Sequence, residues 1–156
     1  MNYSALRKED YANGEGRRVS LFVSGCEHAC EGCFNQKAMS FDAGHPFTMG
    51  TMSEIVEALH DADGFSLLGG EPMHPRHQDV ITFILRFIKT HLGKNVWVWT
   101  GYTHEQLLEM EHPALKYVDV LIDGKYEKSQ RTVKPWRGSD NQRLLHLIDC
   151  KVIKEC

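Results

Sequence analysis

Apolar residues along this chain fall into two patterns, continuous runs and runs with a helical period. Continuous runs rich in β-branched and aromatic residues predict four strands, at Arg17 to Gly25, Phe65 to Leu68, Asn95 to Gly101 and Tyr117 to Gly124. Each run ends at a glycine or directly before one, which is how a strand commonly gives way to a turn. The pattern therefore predicts a sheet built on four strands.

Apolar residues spaced three and four positions apart fill the stretches between those strands. This spacing predicts helices over residues 51–61, 77–92 and 103–111. Thr51 with Glu54, and Thr103 with Gln106, have the spacing of capping boxes and place the starts of the first and third helices. Gly93 is expected to end the second helix.

Strands and helices alternate in this order, which is the pattern of a parallel α/β sheet with right-handed crossovers. A chain of 156 residues fits one hydrophobic core, since domains most often contain roughly 100 to 150 residues. We expect a single α/β domain over residues 1–156. The segment after residue 127 is less regular: "KPWRGSDNQR" is typical of a polar loop, and "LLHLIDCKVI" fits a strand or a helix equally well.

Charge and hydropathy narrow the class of partner. The net charge is -3 and the pI is about 6.3, so no basic field favours nucleic acid or an anionic membrane. The first 18 residues are polar, and the longest apolar run, "VITFILRFI", is short and is interrupted by Arg86. We expect a cytoplasmic protein that binds neither nucleic acid nor membrane.

The loops that follow the four predicted strands carry unusual residues. In a parallel sheet, the loops after the carboxyl ends of the strands gather on one side and form the active site. Four clusters are therefore expected to converge on one rim: the cysteines at 26, 30 and 33, the Gly-Gly-Glu at 69–71, Gly101 with Tyr102, and residues 123–125.

Three of the five cysteines, Cys26, Cys30 and Cys33, stand within eight residues. They are too close together for a disulfide framework, and thiolates at this C-x3-C-x2-C spacing can wrap one soft metal centre. An iron-sulfur cube needs four ligands, so three cysteines would leave one iron open to a bound reactant. Cys150 and Cys156 are interpreted as a half-buried core thiol and a terminal one.

Other chemistry fits the same residues. Zinc prefers four closed ligands, and His28 or Cys150 could complete such a set with the three cysteines. A redox pair of Cys30 and Cys33 is a further alternative, although it leaves Cys26 unexplained. The paired glycines Gly69 and Gly70 fit either a plain tight turn or a close approach of the backbone to a small ligand.

Motifs over nearly the whole chain resemble those of the radical S-adenosylmethionine enzymes, and within them the branch that activates anaerobic ribonucleoside-triphosphate reductases. The motifs are "NGEGRR" (13–18), "LFVSGCEHACEGCFNQ" (21–36), "PFT" (46–48), "GGEP" (69–72), "VWTGY" (98–102), "VDVLIDGKYE" (118–127) and "WRGSDNQR" (136–143). Two departures stand out: Glu15 replaces a proline that is common in this branch, and Gly32 stands where many members of the superfamily have an aromatic residue.

The resemblance implies a fold, two cofactors and their ligands. The fold would be an incomplete, open (β/α) barrel of radical S-adenosylmethionine type with a mostly parallel sheet. Cys26, Cys30 and Cys33 would hold a [4Fe-4S] cluster whose fourth iron is chelated by S-adenosylmethionine. Gly32, Phe34, Gly69, Gly70 and Glu71 would bind that cofactor, and cofactors rather than protein acids or bases would carry the chemistry.

The resemblance also implies a reaction. An electron from reduced flavodoxin or a similar donor would cleave S-adenosylmethionine to a 5′-deoxyadenosyl radical. That radical would take hydrogen from a glycine Cα in the large subunit of anaerobic ribonucleoside-triphosphate reductase. The reductase loop is expected to dock near Tyr102, Lys125, Trp136 and Arg137.

Three rival functions remain open from the sequence. Activators of pyruvate formate-lyase resemble the cysteine motif, but they are usually longer and lack the "WRGSDNQR" ending. Synthases of 7-carboxy-7-deazaguanine are radical enzymes that act on a small molecule. A zinc-stabilised binding module would use the three cysteines without catalysis.

Overall fold

The computed structural model describes residues 1–156, and a single eight-stranded sheet organises them. The strands are β1 (Asn2–Asp10), β2 (Arg18–Val23), β3 (His45–Pro46), β4 (Gly64–Gly69), β5 (Asn95–Trp99), β6 (Val120–Asp123), β7 (Arg143–Ile148) and β8 (Lys151–Glu155). The α-helices are α1 (Met49–Leu59), α2 (Gln78–Phe87) and α3 (His104–Glu109). Short 3-10 turns and one π-helical turn, Ile88–Leu92 after α2, complete the regular structure.

The sheet has the order β3-β1-β2-β4-β5-β6-β7-β8 and mixed strand directions. The inner strands β2, β4, β5 and β6 are parallel, whereas both flanks are antiparallel. Four of the seven pairings are antiparallel, those of β1 with β2 and β3, of β6 with β7, and of β7 with β8. The predicted mostly parallel (β/α) barrel is therefore wrong. The chain forms a mixed sheet with three α-helices.

The barrel prediction is wrong because the strands at the two ends of the chain lack the sequence pattern that predicts a buried strand. The sequence of β1, "NYSALRKED", is mostly polar and partly exposed, so it lacks the buried run that predicts a strand. The β7–β8 hairpin lies in the segment that fitted a strand or a helix equally well, and all five residues of β8 are exposed. Antiparallel pairing joins both ends to the parallel strands through backbone hydrogen bonds, which polar side chains do not prevent.

The four inner strands and the helices between them follow the predicted order, with shifts at their ends. Thr103 caps α3 in a capping box with Gln106, as predicted. The cap predicted at Thr51 is wrong, because Thr48 caps α1 and Thr51 is its box partner, so the helix begins at Met49. Gly93 ends the segment after α2 with φ 59°, the left-handed conformation expected of a glycine cap.

Successive side chains of the inner strands point to opposite faces of the sheet, and the two faces differ. On one face, Val96 and Val98 join a core of 23 buried residues that also includes the inward sides of all three helices. On the other face, Trp97 belongs to a second cluster with Val120, Ile122 and Leu144. The helices cover only the first face, so the second face is left to the loops. None of the helices has the length and apolar character needed to cross a membrane.

Candidate functional site

A cavity of about 550 Å³ opens at the carboxyl ends of the parallel strands. Its walls come from the loops after β2, β4, β5 and β6 and from the segment that leads into β7. This volume lies within the range of sites for small molecules and cofactors, roughly 300 to 1,000 Å³. The loops that the sequence predicted to converge on one rim therefore do so.

The cysteine loop, residues 25–34, forms the first wall of the cavity and contains no helix or strand. Its start is held by two backbone hydrogen bonds, from Gly25 N to Ala38 O at 2.7 Å and from Cys26 N to Met39 O at 2.9 Å. Gly25 has φ +104°, and a Cβ atom there would lie 2.2 Å from the ring of Phe41. Only glycine fits this corner, so the strand-to-loop turn is built into the sequence.

Cys26, Cys30 and Cys33 all line the cavity, and all three are unpaired and partly buried. No three His, Cys, Asp or Glu side chains are spaced to bind a single metal ion. A tetrahedral zinc with Zn–S bonds of 2.3 Å would need sulfurs about 3.8 Å apart, whereas in an iron-sulfur cube each thiolate binds a separate iron. Three thiols are the donor set that a cube with one free iron needs, whereas a closed zinc site would need a fourth ligand.

Burial raises the pKa of the Cys26 thiol to about 11, and the nearby Glu71 carboxylate adds to the effect. The thiol therefore keeps its proton at neutral pH until a positive centre arrives. The iron of a bound cluster would supply that positive charge, so its binding would release a proton. Asn35 N donates to the sulfur of Cys33 at 3.4 Å, a contact of the kind that tunes a bound thiolate.

The Gly-Gly-Glu loop after β4 lies against the cysteine loop. Gly69 has φ +108°, and a Cβ atom on Gly70 would lie 2.5 Å from the carbonyl oxygen of Gly25. Gly70 N donates to Val23 O, and Glu71 N donates to Gly25 O, both at 2.8 Å. The paired glycines thus allow the Gly-Gly-Glu loop to pack closely against the cysteine loop. The amide of Gly70 already donates to Val23 O. The carbonyl of Gly70 is therefore the backbone group of this residue that can bind a ligand.

The carboxylate of Glu71 is buried, with only 1% of the side chain exposed, and receives four hydrogen bonds. Oε1 accepts from Met73 N at 2.9 Å and from Thr100 Oγ1 at 2.7 Å. Oε2 accepts from Gly101 N at 2.7 Å and contacts His28 Nε2 at 2.6 Å. A carboxylate has about four acceptor positions, and all of them are filled. Glu71 therefore ties three loops together.

Aromatic side chains form another wall of the cavity. Trp99 Nε1 donates to Trp136 O at 2.7 Å, and the ring of Trp136 meets the ring of Trp97 edge-on, with centroids 4.9 Å apart. Phe34 lies 4.9 Å from Tyr126 and stays 64% exposed. The segment around Trp136 is thus anchored to β5, while Phe34 leaves an apolar face at the cavity mouth.

Three arginines, Arg7, Arg131 and Arg137, also line the cavity. None of them forms a salt bridge, and Nε of Arg137 is buried without a hydrogen-bond partner. Glu71 is the one carboxylate in the lining, and its oxygens are already occupied. The free positive charge favours a ligand that carries an anionic group.

The structure brings most of the predicted site residues to the cavity. Those that line it are Cys26, Cys30, Cys33, Phe34, Gly69, Gly70, Glu71, Trp136 and Arg137. Gly32 lies outside the lining, next to Lys128, and Lys125 is exposed on the rim. Tyr102 packs edge-on against His28, with ring centroids 4.8 Å apart, and does not line the cavity.

Sequence reasoning missed the hydrogen bond between His28 and Glu71 and the cavity arginines. The sequence presents His28 only as a possible zinc ligand, because no local pattern indicates that it faces a carboxylate 43 positions away. Arg7 comes from β1, a strand that the apolar pattern did not predict. Thr100 could have been found, since it lies at the end of a predicted strand, directly before the predicted rim residue Gly101.

Comparison with known proteins identifies the family to which this chain belongs. A family model described as a 4Fe-4S single cluster domain matches residues 12–145. A relative from Enterobacteria phage T4 is 46% identical over 147 residues, which are 92% of this chain and 93% of the relative. Relatives from Pasteurella multocida (strain Pm70) and Escherichia coli (strain K12) are 44% and 38% identical, covering 91% and 94% of this chain and 95% and 99% of their own lengths.

All three relatives carry the same name, and they match this chain nearly from end to end. The cysteine loop, the Gly-Gly-Glu loop and the aromatic wall all lie within residues 12–145, the part that the 4Fe-4S domain model covers. The chain therefore belongs to the family of anaerobic ribonucleoside-triphosphate reductase-activating proteins.

Proposed function

We propose that this protein is an activating enzyme, an oxidoreductase that generates a glycyl radical in the large subunit of anaerobic ribonucleoside-triphosphate reductase. The names of its relatives support this target. The observation that carries the proposal is that three thiols, and only three, line the cavity. Cys150 lies at the β7–β8 turn and Cys156 is exposed, so neither supplies a fourth ligand. A cube held here keeps one iron free.

Cys26, Cys30 and Cys33 would hold the [4Fe-4S] cluster, and S-adenosylmethionine would occupy the rest of the cavity. When bound and reduced, this pair of cofactors supplies one-electron cleavage of the sulfonium to methionine and a 5′-deoxyadenosyl radical, which takes hydrogen from a glycine Cα. The protein binds and orients the cofactors and limits access of water. The absence of a catalytic triad or a free carboxylate pair in the cavity agrees with such chemistry.

The lining residues offer a separate contact for each part of S-adenosylmethionine. The carbonyl of Gly70 suits its ammonium group, and the unpaired guanidinium of Arg137 suits its carboxylate. The exposed ring of Phe34 gives an apolar face for the adenosyl group. Gly32, beside the third cysteine, is proposed as a backbone contact. Glu71 would act on the cofactor mainly through the loops that it holds, since its oxygens already accept four hydrogen bonds.

The reductase loop would enter from the open side of the cavity. Trp136 and Arg137 line the cavity, while Tyr102 and Lys125 lie next to the lining or on its rim. Reduced flavodoxin or a similar donor would supply the electron, and the reaction would take place in the cytoplasm. An activator of pyruvate formate-lyase would share the cysteines and differ in this docking surface.

The first test is an electron paramagnetic resonance spectrum of anaerobically purified, dithionite-reduced protein with and without S-adenosylmethionine. We expect a reduced-cluster signal that changes shape when the cofactor is added, and a glycyl radical signal once the reductase is present. A silent, colourless sample that contains zinc would refute the proposal. A glycyl radical on pyruvate formate-lyase but not on the reductase would refute the assigned target.

Replacing a ligand tests the assignment of the three thiols. Cys33→Ala should lose the cluster signal and cleavage of S-adenosylmethionine, since two thiolates cannot hold the cube at this site. Cys150→Ser should keep both, because its thiol does not line the cavity. Iron content and methionine release measure the two outcomes. S-adenosylmethionine cleavage that persists in Cys33→Ala would contradict the ligand assignment.

A further inference from the structure

His28 lies inside the cysteine loop, two residues after Cys26 and two before Cys30. Its side chain points inward and is only 12% exposed. Nε2 lies 2.6 Å from Oε2 of Glu71, a short contact between two partly or fully buried groups. Since a carboxylate only accepts hydrogen bonds, Nε2 of His28 is the donor. His28 thus stands between the cysteines of the loop, lines the same cavity, and contacts Glu71 of the Gly-Gly-Glu loop through its side chain.

The imidazole of His28 is enclosed by groups other than Glu71. A Cβ atom on Gly101 would lie 2.5 Å from the ring, so the ring lies directly on the backbone of that glycine. The ring of Tyr102 meets it edge-on at 4.8 Å with an interplanar angle of 72°. The ring is therefore held in one orientation by backbone, by an aromatic edge and by a hydrogen bond.

Few other contacts hold the middle of the cysteine loop. Between Cys26 and Cys33, the other ion pairs to the rest of the protein use Glu27 and Glu31, whose side chains are 70% and 85% exposed. Exposed pairs of this kind contribute little, typically about 0 to 1 kcal/mol. Of the three ion pairs in this stretch, only that of His28 with Glu71 joins two side chains that are both largely buried, at 12% and 1% exposed.

We propose that His28 is a positioning residue: its hydrogen bond to Glu71 sets the conformation of the cysteine loop and so the placement of the three thiolates. The inference rests on the proposed function, because it concerns the cluster that those thiolates would hold. Through Glu71, the same contact links the cysteine loop to Thr100 and Gly101 at the end of β5. One buried carboxylate, that of Glu71, thus holds both the cysteine loop and the residues at the end of β5 that line the cavity.

Three substitutions separate the parts of this arrangement. His28→Phe keeps an aromatic ring and removes the donor, whereas His28→Gln keeps a donor that can reach the carboxylate. Gly101→Ala does not change the residue at position 28 but displaces its ring, since the new methyl group would overlap the imidazole. His60→Phe is the control, because His60 also pairs with a carboxylate, that of Asp61, but on the surface with 88% of its side chain exposed.

The experiment measures three properties of each full-length variant. They are iron bound per chain after anaerobic reconstitution, the line shape of the reduced-cluster electron paramagnetic resonance spectrum, and the melting temperature of the iron-free protein. For His28→Phe we expect at least a twofold loss of iron and a broadened or shifted spectrum, because an unanchored loop samples several thiolate arrangements. Gly101→Ala should shift the spectrum in the same direction. His28→Gln should restore most of the iron and the line shape.

The possible results distinguish a failure of this inference from a failure of the proposed function. Wild-type protein that binds no iron would refute the proposed function itself. Wild-type protein with a normal cluster, together with His28→Phe of unchanged iron content and line shape, would overturn the role of His28 alone. Equal damage in His28→Gln and His28→Phe would show that the donated hydrogen bond is not the cause. Should His28→Phe fail to fold, an unchanged spectrum for Gly101→Ala would still overturn the inference.

Discussion

At the scale of single residues, buried acceptors and their donors decide most of the local structure around the site. The carboxylate of Glu71 is fully buried and depends on donors from three separate segments of the chain. Leaving one position of such a group unpaired costs more free energy than a typical hydrogen bond contributes, because the desolvation of the carboxylate is no longer offset. The side chains around Glu71 are therefore more sensitive to substitution than their distance from the thiolates indicates.

Thr100→Val tests this sensitivity. The hydroxyl of Thr100 donates to Oε1 of Glu71 and accepts a hydrogen bond from Tyr102 N, and valine removes both interactions. We expect the free energy of unfolding of the iron-free protein to fall by about 1 to 3 kcal/mol. Thr100→Ser, which keeps the hydroxyl, should lose much less. Urea denaturation measures both, and equal losses in the two variants would show that the methyl group matters as much as the hydrogen bonds, contrary to this expectation.

The ion pair between Glu105 and Arg143 gives a prediction for pH. Hydrogen bonds from Arg143 lower the pKa of Glu105 from its usual 4.5 to about 2 in the folded protein. The pair therefore stabilises the fold fully above about pH 4.5, and this contribution is lost as the pH falls toward 2. The Glu105 side chain is 65% exposed, so the contribution is small, at most about 1 kcal/mol.

Glu105→Gln isolates this effect from the other carboxylates. The difference in melting temperature between wild type and variant should be largest near neutral pH and should shrink between about pH 4.5 and 2, because the wild type loses its ion pair there. Glu109→Gln, on the same helix and without a salt bridge, is the control and should show no such trend. A difference that stays constant over this range would contradict the role of the pair.

At the scale of secondary structure elements, the β7–β8 hairpin shows how a tertiary contact stabilises an unfavourable turn. Asp149 and Cys150 connect the strands with φ 47° and 65°, the left-handed conformation that two-residue hairpin turns require. Asp-Gly is the preferred pair at such turns, and a residue other than glycine at the second position costs free energy. His104 contacts the carbonyl oxygen of Cys150 through Nε2 at 2.8 Å and helps to hold the turn in place.

Cys150→Gly should therefore stabilise the protein. Removing the side chain relieves the left-handed strain, and we expect the free energy of unfolding to rise by about 0.5 to 1 kcal/mol. Cys150→Ala keeps the Cβ atom and should give no such gain. Thermal unfolding of the iron-free variants measures the difference. Destabilisation by Cys150→Gly to the same extent as by Cys150→Ala would show that core packing of the thiol outweighs the backbone strain.

At the scale of the whole molecule, the helices cover one face of the sheet and leave the other to loops and a cavity. A cavity bounded by loops on an open face can admit a segment of another protein. Three arginines without carboxylate partners line this cavity, and Lys125 lies exposed beside it. Positive charge on a rim acts mainly on the rate at which partners associate, and salt screens its effect.

Lys125→Glu tests the docking surface. Reversing the charge should slow association with the reductase about three- to tenfold at low salt, and the effect should weaken as salt rises. Iron content and the reduced-cluster spectrum should stay unchanged, because Lys125 does not line the cavity. Lys154→Glu on β8 is the control, since β8 is the far edge strand of the sheet. Equal slowing by both variants would indicate an effect of net charge rather than a local contact.

The sequence by itself determined the inner strands, the helices between them and the loops that carry the candidate chemistry. It did so because buried runs, helical spacing, glycine stops and the C-x3-C-x2-C motif are local signals, each set by a few neighbouring residues. Cys26, Cys30, Cys33 and the Gly-Gly-Glu loop were found in this way. Their meeting at one cavity follows from the parallel order of the strands.

Only the tertiary structure decided the direction of the flanking strands and the contacts across the site. The polar strand β1 and the exposed strand β8 pair through backbone hydrogen bonds, which leave no pattern in their side chains. The hydrogen bond from His28 to Glu71 joins residues 43 positions apart, and the free charge of Arg137 depends on which carboxylates fold close to it. Such long-range contacts exist only once the sheet has assembled, so no local pattern specifies them.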